Sequence, residues 1–206
     1  MYKIKHFFEQ SWLLIVSSFF FGLLIAVTNA AWDPRIKQNE RDKLNHLMKA
    51  LVADANSFEV VLEKAEIPLR KGKPARTDVY KAVDENGGTM GYAFIAVGSG
   101  FQDKIRLVIA VDDKCERFFG YKVLASNETP GFGDKIKKDY LGNQFKGAPV
   151  GMLELVKAGD DKTIDPEIVA ISGATVSSEA VVKIFNSYTA KIKEHLEAKG
   201  LIGNGR

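Results

Sequence analysis

Residues 90–124 read MGYAFIAVGSGFQDKIRLVIAVDDKCERFFGYKVL. Three β-type runs lie in this stretch, Met90–Val97, Ile105–Val111 and Phe118–Leu124, rich in Val, Ile, Tyr and Phe and separated by short segments bearing Gly and Asp. Two further runs precede them, Ser57–Leu62 and Asp78–Val83, and Asp84–Gly88 reads as a turn. Strands this closely spaced, with no helix between them, pair antiparallel.

The C-terminal side changes character beyond Leu124. A loop bearing Gly and Pro leads to a short helical stretch near Asp134–Leu141 and a strand at Met152–Val156. The spacing of Val181, Ile184, Tyr188, Ile192 and Leu196 then predicts a helix over about 177–198, packed on the sheet, with Gly200 as its stop. On the N-terminal side, Leu44, Leu47, Met48 and Leu51 recur at helical spacing and predict an amphipathic helix over about 34–53.

Further toward the start, Trp12–Ala31 reads WLLIVSSFFFGLLIAVTNAA, 20 residues without a charge. At about 1.5 Å per residue this covers about 30 Å, the thickness of a bilayer core, and Trp12 and Trp32 suit its two interfaces. Lys3 and Lys5 ahead of an apolar run, with Thr28-Asn29-Ala30 behind it, also fit a signal peptide. The length of the run favours a retained anchor, since signal cores are usually about 7–15 residues. Positive charge flanks both ends, with Arg35, Lys37, Arg41 and Lys43 opposite Lys3 and Lys5, so the positive-inside rule does not set the orientation. A signal peptide or a signal anchor would each leave the bulk of the chain outside the cytoplasm. The expected organisation is a short tail at 1–11, a transmembrane helix at 12–31 and one α+β domain at 32–206 whose mostly antiparallel sheet is packed by helices.

Composition narrows the function classes. The 206 residues are 46% hydrophobic and 27% charged, which places the chain among globular proteins able to bury a core without staples. The net charge of +3 comes from interspersed Lys, Arg, Asp and Glu, with no basic block to bind nucleic acid. Cys115 is the single cysteine, so an intrachain disulfide and Cys-rich metal or iron–sulfur sites are excluded, and burial is its expected state. His6, His46 and His195 lie on separate segments without metal-ligand spacing.

Two loops stand out. Ile171-Ser172-Gly173-Ala174-Thr175-Val176-Ser177-Ser178 sits directly ahead of the last helix. Its small residues let a bulky group approach the backbone, its hydroxyls can cap the helix, and a helix N-terminus favours a phosphate. Read alone, it is a capping turn, and it lacks the Lys of a P-loop and the G-x-S-x-G of a serine hydrolase. Glu128-Thr129-Pro130-Gly131-Phe132-Gly133 is a tight turn ahead of the short helical stretch and, alone, a plain connector. No G-x-G-x-x-G dinucleotide fingerprint occurs anywhere in the chain.

In this order, and behind an anchor, a helix and a run of strands, the two loops resemble the FMN-binding domain shared by the G subunit of Rnf electron-transport complexes and the C subunit of sodium-pumping NADH:quinone reductases. The likeness covers nearly the whole chain, and its length looks more like the Rnf protein. The resemblance implies one covalent FMN on Thr175 through a phosphoester, within the Ser172-Gly173-Ala174-Thr175 motif and beside Val176. It places Glu128, Thr129, Pro130, Gly131 and Gly133 near the flavin, and Asp165 in the element read by a flavin transferase. Gly98-Ser99-Gly100-Phe101 resembles the family's earlier glycine–aromatic segment, although Gln102, Asp103 and Lys104 follow where smaller residues are expected. Tyr92 and Phe132 are aromatic candidates to line the ring, with core packing the better reading of Tyr92.

The function implied is electron transfer within a membrane complex that couples it to ion translocation, with no independent catalytic residue and no metal. Its implied partners are other membrane and redox subunits, the flavin transferase and the lipid bilayer. It would sit in the cytoplasmic membrane with its domain on the periplasmic side. Ser17, Ser18 and Gly22 could let partner helices approach. The nearest alternative is the same flavin in a different assembly, a sodium-pumping NADH:quinone reductase or a stand-alone flavinylated reductase; alternatives of other kinds are an anchored scaffold without a cofactor and reversible FMN binding.

Overall fold

The computed structural model describes residues 2–68 and 74–203, and side chains from residue 11 onward; Met1 and the side chains of Lys3, Lys5 and His6 lie outside the described residues. The chain divides into two compact units, residues 1–43 and 44–206.

The two helices expected at 12–31 and 34–53 form one helix, α1, running from Tyr2 to Leu51 with Pro34 inside it. Proline in a helix interior costs about 3 kcal/mol. Around it the sequence is otherwise helix-compatible: no glycine falls between Gly22 and Leu51, and Lys37 pairs with Asp33 one turn away at 2.6 Å. The segment Ser11–Leu51 is long and apolar enough to cross a membrane, and its most apolar window is wholly exposed in the isolated chain.

In the second unit, five strands form an antiparallel meander in the order β1 (Ser57–Ile67), β2 (Ala75–Val83), β3 (Thr89–Ser99), β4 (Lys104–Asp112) and β5 (Phe118–Ala125). Register brings Phe94 opposite Ile109 and Ile109 opposite Tyr121. All five expected runs are here, most of them longer than their sequence signal. The extension of β1 escapes the period-two pattern because register shifts after Val60 and Leu62 put Leu62, Ala65 and Ile67 inward, and Lys64 takes φ 51°.

Alternation on β4 shows how the sheet is used. Ile105, Leu107, Ile109 and Val111 face one core, which they share with α3 (Thr175–Ala198). Val108 and Ala110 face a second, smaller core with Leu44, Met48 and Val52 from the end of α1 and the turn after it. Both faces are therefore covered, which is why β4 reads as a continuous apolar run.

Between β5 and α3 come a 3-10 turn (Gly133–Lys137), α2 (Asp139–Gln144), and β6 (Glu154–Val156) paired in parallel with β7 (Glu167–Val169). The single stretch expected at 134–141 is thus two pieces, broken at Lys138, whose backbone is extended. β7 has no counterpart among the expected strands, since three residues after Asp165-Pro166 carry no period. Two contacts anchor this segment over the sheet. Tyr121 Oη donates to Ile136 O at 2.7 Å, and the rings of Phe118, Tyr121 and Phe145 cluster on Phe185 of α3.

α3 ends where expected. Gly200 sits at φ 67°, its N–H donates to Glu197 O, and the N–H of Leu201 reaches Leu196 O, the paired bonds of a Schellman stop. Leu201 O in turn accepts from Tyr92 Oη at 2.8 Å. Cys115 is buried as expected, and burial pushes its thiol up to about 12.

Candidate functional site

Three loops converge at the N-terminus of α3 and enclose a groove of about 470 Å³. Phe101 comes from the β3–β4 turn, Thr129, Phe132 and Gly133 from the loop after β5, and Gly173 to Ser177 from the start of α3. The two motifs singled out in the sequence thus line one cavity, although residues 133 and 173 stand 40 positions apart.

The wall at α3 has an unusual cap. The N-cap is Ala174, which makes no side-chain capping bond, and Thr175 is the first helical residue, two positions earlier than the spacing predicts. Ser178, in the first turn, bonds backward to the loop and not to the helix start. Ser178 Oγ is buried, accepts from Ile171 N–H at 3.1 Å and donates to Ala174 O at 3.0 Å, which fixes the loop ahead of the helix. With no side-chain cap, the helix start is left as an anion site by its orphan N–H groups and dipole. Thr175 is exposed there, as are Ser172, Gly173 and Val176. Gly173 has φ 78°, a conformation that favours glycine, and a Cβ on it would meet the ring of Phe132 at 3.6 Å.

The rim carries apolar side chains facing solvent: Phe101 is 68% exposed, Phe132 58% and Val176 51%. Lys135 Nζ lies 5.9 Å from the centre of the Phe132 ring. Tyr92, in contrast, is a core residue whose hydroxyl is held by Leu201 O, away from the groove. Phe101 is thus the aromatic that Gly98-Ser99-Gly100-Phe101 supplies. The bulkier Gln102 and Asp103 are accommodated because their side chains bond along the loops, Gln102 Oε1 accepting from Thr129 Oγ1 and Asp103 from Asn127.

Behind the groove lies Glu128, only 4% exposed. Its carboxylate accepts from Phe101 N–H at 3.2 Å and Gln102 N–H at 3.0 Å, and takes a short hydrogen bond from Ser177 Oγ. Burial by itself would raise its pKa. The bonds from Ser177 and from the N–H groups of Gln102, Phe101 and Asp103 outweigh that and hold the carboxyl below its usual range. Two glycines make the approach possible. A Cβ on Gly100 would lie 2.4 Å from Glu128 Oε1, and one on Gly133 would lie 2.6 Å from Ser177 Oγ and 2.9 Å from Glu128 Oε2.

Pro130 and Gly131 shape the outer turn of the same loop, both exposed, with Gly131 at φ 77°. Asp165 stands apart, accepting from Glu167 N–H at 2.8 Å at the entrance to β7. Gln144 has no sequence signal. Its side-chain amide bonds both backbone groups of Val169, which steadies β7 just ahead of the Ser172-Gly173-Ala174-Thr175 loop. Among the described residues no group of His, Cys, Asp or Glu is arranged to hold a metal.

Residues 100–190, which contain all three loops, match the FMN-binding domain family. Over 174 residues the chain is 30% identical to the G subunit of the ion-translocating oxidoreductase complex of Methanosarcina acetivorans, an alignment covering 84% of this chain and 88% of that one. It is 29% identical to the G subunit of the proton-translocating ferredoxin:NAD(+) oxidoreductase complex of Clostridium ljungdahlii, covering 82% and 83% of the two chains. The chain belongs to the G-subunit family of ion-translocating oxidoreductase complexes. This G-family chain shares its fold with the crystal structure of NqrC from Shewanella oneidensis, with a TM-score of 0.57 at 22% identity over 68% of this chain and 72% of that one. The C subunit of the Na(+)-translocating NADH-quinone reductase of Parabacteroides distasonis gives the same TM-score at 21% identity, over 77% and 94%. Among the described residues one helix is long and apolar enough to cross a membrane, in keeping with a single-pass member of this family of membrane complexes.

Proposed function

We propose that this chain is the flavin-bearing subunit of an ion-translocating electron-transport complex, carrying one FMN joined by a phosphoester to Thr175 Oγ1. The observation that carries the reading is the placement of an exposed threonine hydroxyl at the uncapped start of α3, inside a groove rimmed by Phe101 and Phe132.

The residues present fit that cofactor. The free N–H groups at the start of α3 and the dipole behind them favour a phosphate by about 0.3–1 kcal/mol at an exposed site. Gly173 leaves room at the backbone, and the groove is within the range of about 300–1,000 Å³ common for ligand sites. Phe101, Phe132 and Val176 offer apolar surface to a flat ring, while Thr129 supplies a hydroxyl at the groove.

FMN, when bound, supplies one- and two-electron redox chemistry. This chain's part is to hold the phosphate at α3, to seat the ring against the two phenylalanines, and to keep it open to partner redox subunits on the solvent side. An ester bond fixes occupancy, which matters for a domain on the periplasmic face, away from the cytoplasmic flavin pool. Maturation then requires a flavin transferase, with the loop around Asp165 as part of its recognition surface. Ion translocation belongs to the whole assembly, because the apolar segment Trp12–Ala31 has no ionisable side chain to form a path.

Co-expression with a flavin transferase in an exporting host, followed by intact mass measurement, tests this. The expected product is heavier by one FMN less one water and stays fluorescent in a denaturing gel, and Thr175→Ala abolishes both signals. A fluorescent Thr175→Ala band, or an unmodified wild-type chain, would refute the assignment. Protease added to spheroplasts should digest the domain; full protection would reverse the proposed orientation.

A further inference from the structure

We propose that Glu128 is a positioning residue and not a flavin ligand: its ionised carboxylate, seated behind the groove wall, holds the three groove-forming loops together, so that the groove assembles only while that charge is present. The inference rests on the reading of the groove as a flavin site only for its consequence at Thr175.

The geometry carries it. Glu128 belongs to the loop after β5, binds the N–H groups of Phe101 and Gln102 on the β3–β4 turn, and binds the hydroxyl of Ser177 on α3. Each of those elements contributes to the groove lining, through Phe101, through Thr129, Phe132 and Gly133, and through Thr175 to Ser177. Gly100 and Gly133 admit the carboxylate where any larger residue would collide with it.

Among the described residues Glu128 makes no ion pair, so its buried charge is balanced by amide dipoles and a hydroxyl alone. Every one of those partners is a donor. A protonated or amide side chain brings its own donor into this shell and leaves at least one N–H unmatched. Charged groups on the packed elements are Asp103 and Lys104 on the turn, Asp134 and Lys135 beyond Gly133, and Glu179 on α3, which is paired with Lys183. Asp103 is bonded to the N–H of Lys104 and to Asn127, so its carboxyl also titrates below its usual range.

Amide hydrogen exchange on the full-length, flavin-free chain in detergent tests the proposal. In the wild type the Phe101 and Gln102 amides should be protected at neutral pH and lose protection in one step as pH falls through the Glu128 titration. Glu128→Gln should lower protection at both amides by about tenfold or more at neutral pH and erase the step, as loss of bonds to a charged group implies. Leu107 and Ile109 on β4 should keep wild-type protection. The same variant should take up flavin at Thr175 more slowly from the transferase.

Unchanged protection at Phe101 and Gln102 in Glu128→Gln overturns the proposal. Should that variant unfold globally, Ser177→Ala decides, because it removes one donor without adding another. Its step should move to higher pH as the carboxylate loses a bond, and an unmoved step overturns the proposal as well. A wild-type chain that never acquires flavin sinks the functional assignment but leaves the exchange result standing, so the two failures are distinct.

Discussion

Glu128 makes part of the domain's stability depend on pH. Its native pKa lies below the ordinary 4.5, so its contribution is fully present above that value and is lost as pH falls through the lower native one. Urea midpoints should therefore be flat near neutrality and decline in the acid range, with a shallower decline in Glu128→Gln than in the wild type. A decline of equal slope in both proteins would show that other carboxylates dominate. The residue-level logic of the motif is only half legible in the sequence. The free hydroxyl of Thr175 follows from small residues ahead of a helix, but the roles of Ser177 and Ser178 do not. In sequence they are two more serines at a cap; in space one closes on Glu128 and the other on Ile171 and Ala174. Gln144 is invisible in the sequence for the same reason, since its partner Val169 lies 25 positions away.

At the scale of elements, the position of α3 depends on a glycine that reads in sequence as part of a cofactor segment. Gly98 on β3 lies directly beneath the helix: a Cβ there would come within 2.4 Å of Ile184 Cγ1, and Ile184 is itself buried. Gly98→Ala should cost about 1–3 kcal/mol through overpacking, which lowers the melting temperature by roughly 2–12 °C in a domain of this size. Ile184→Ala, which removes Cγ1 itself, should combine with it less than additively, because the two residues are in contact. A full, additive penalty in the double variant would mean that Gly98 matters for its backbone and not for the space above it. The strands themselves are readable, because apolar β-branched and aromatic runs between turn residues need no tertiary information. The bulged end of β1 and the three-residue β7 are not, since one breaks the period and the other is too short to have one.

At the scale of the molecule, the end of α1 serves the domain and not only the membrane. Leu44, Met48 and Val52 bury against Ala82, Ala93, Val108 and Ala110, so the second unit begins inside the helix, at residue 44. A chain starting at residue 44 should be soluble and keep the amide-exchange protection that Leu107 and Ile109 on β4 show in the full-length protein. One starting at residue 54 forfeits the burial of three apolar side chains, each worth about 1.5–3 kcal/mol, and should aggregate or melt far lower. Equal stability of the two truncations would show that this sheet face needs no cover. The charge-free apolar segment, the antiparallel strands, the final helix with its stop at Gly200 and the family of the two motifs are legible in the linear chain. All of these depend on local periodicity, charge-free length or residue order, which a linear chain carries. Only the tertiary structure decided that α1 runs unbroken through Pro34, that Phe101 and not Tyr92 reaches the groove, and that Glu128 lies behind it, because each of these turns on which distant segments come into contact. A buried carboxylate finds its donors through packing, and packing is a property of the folded chain.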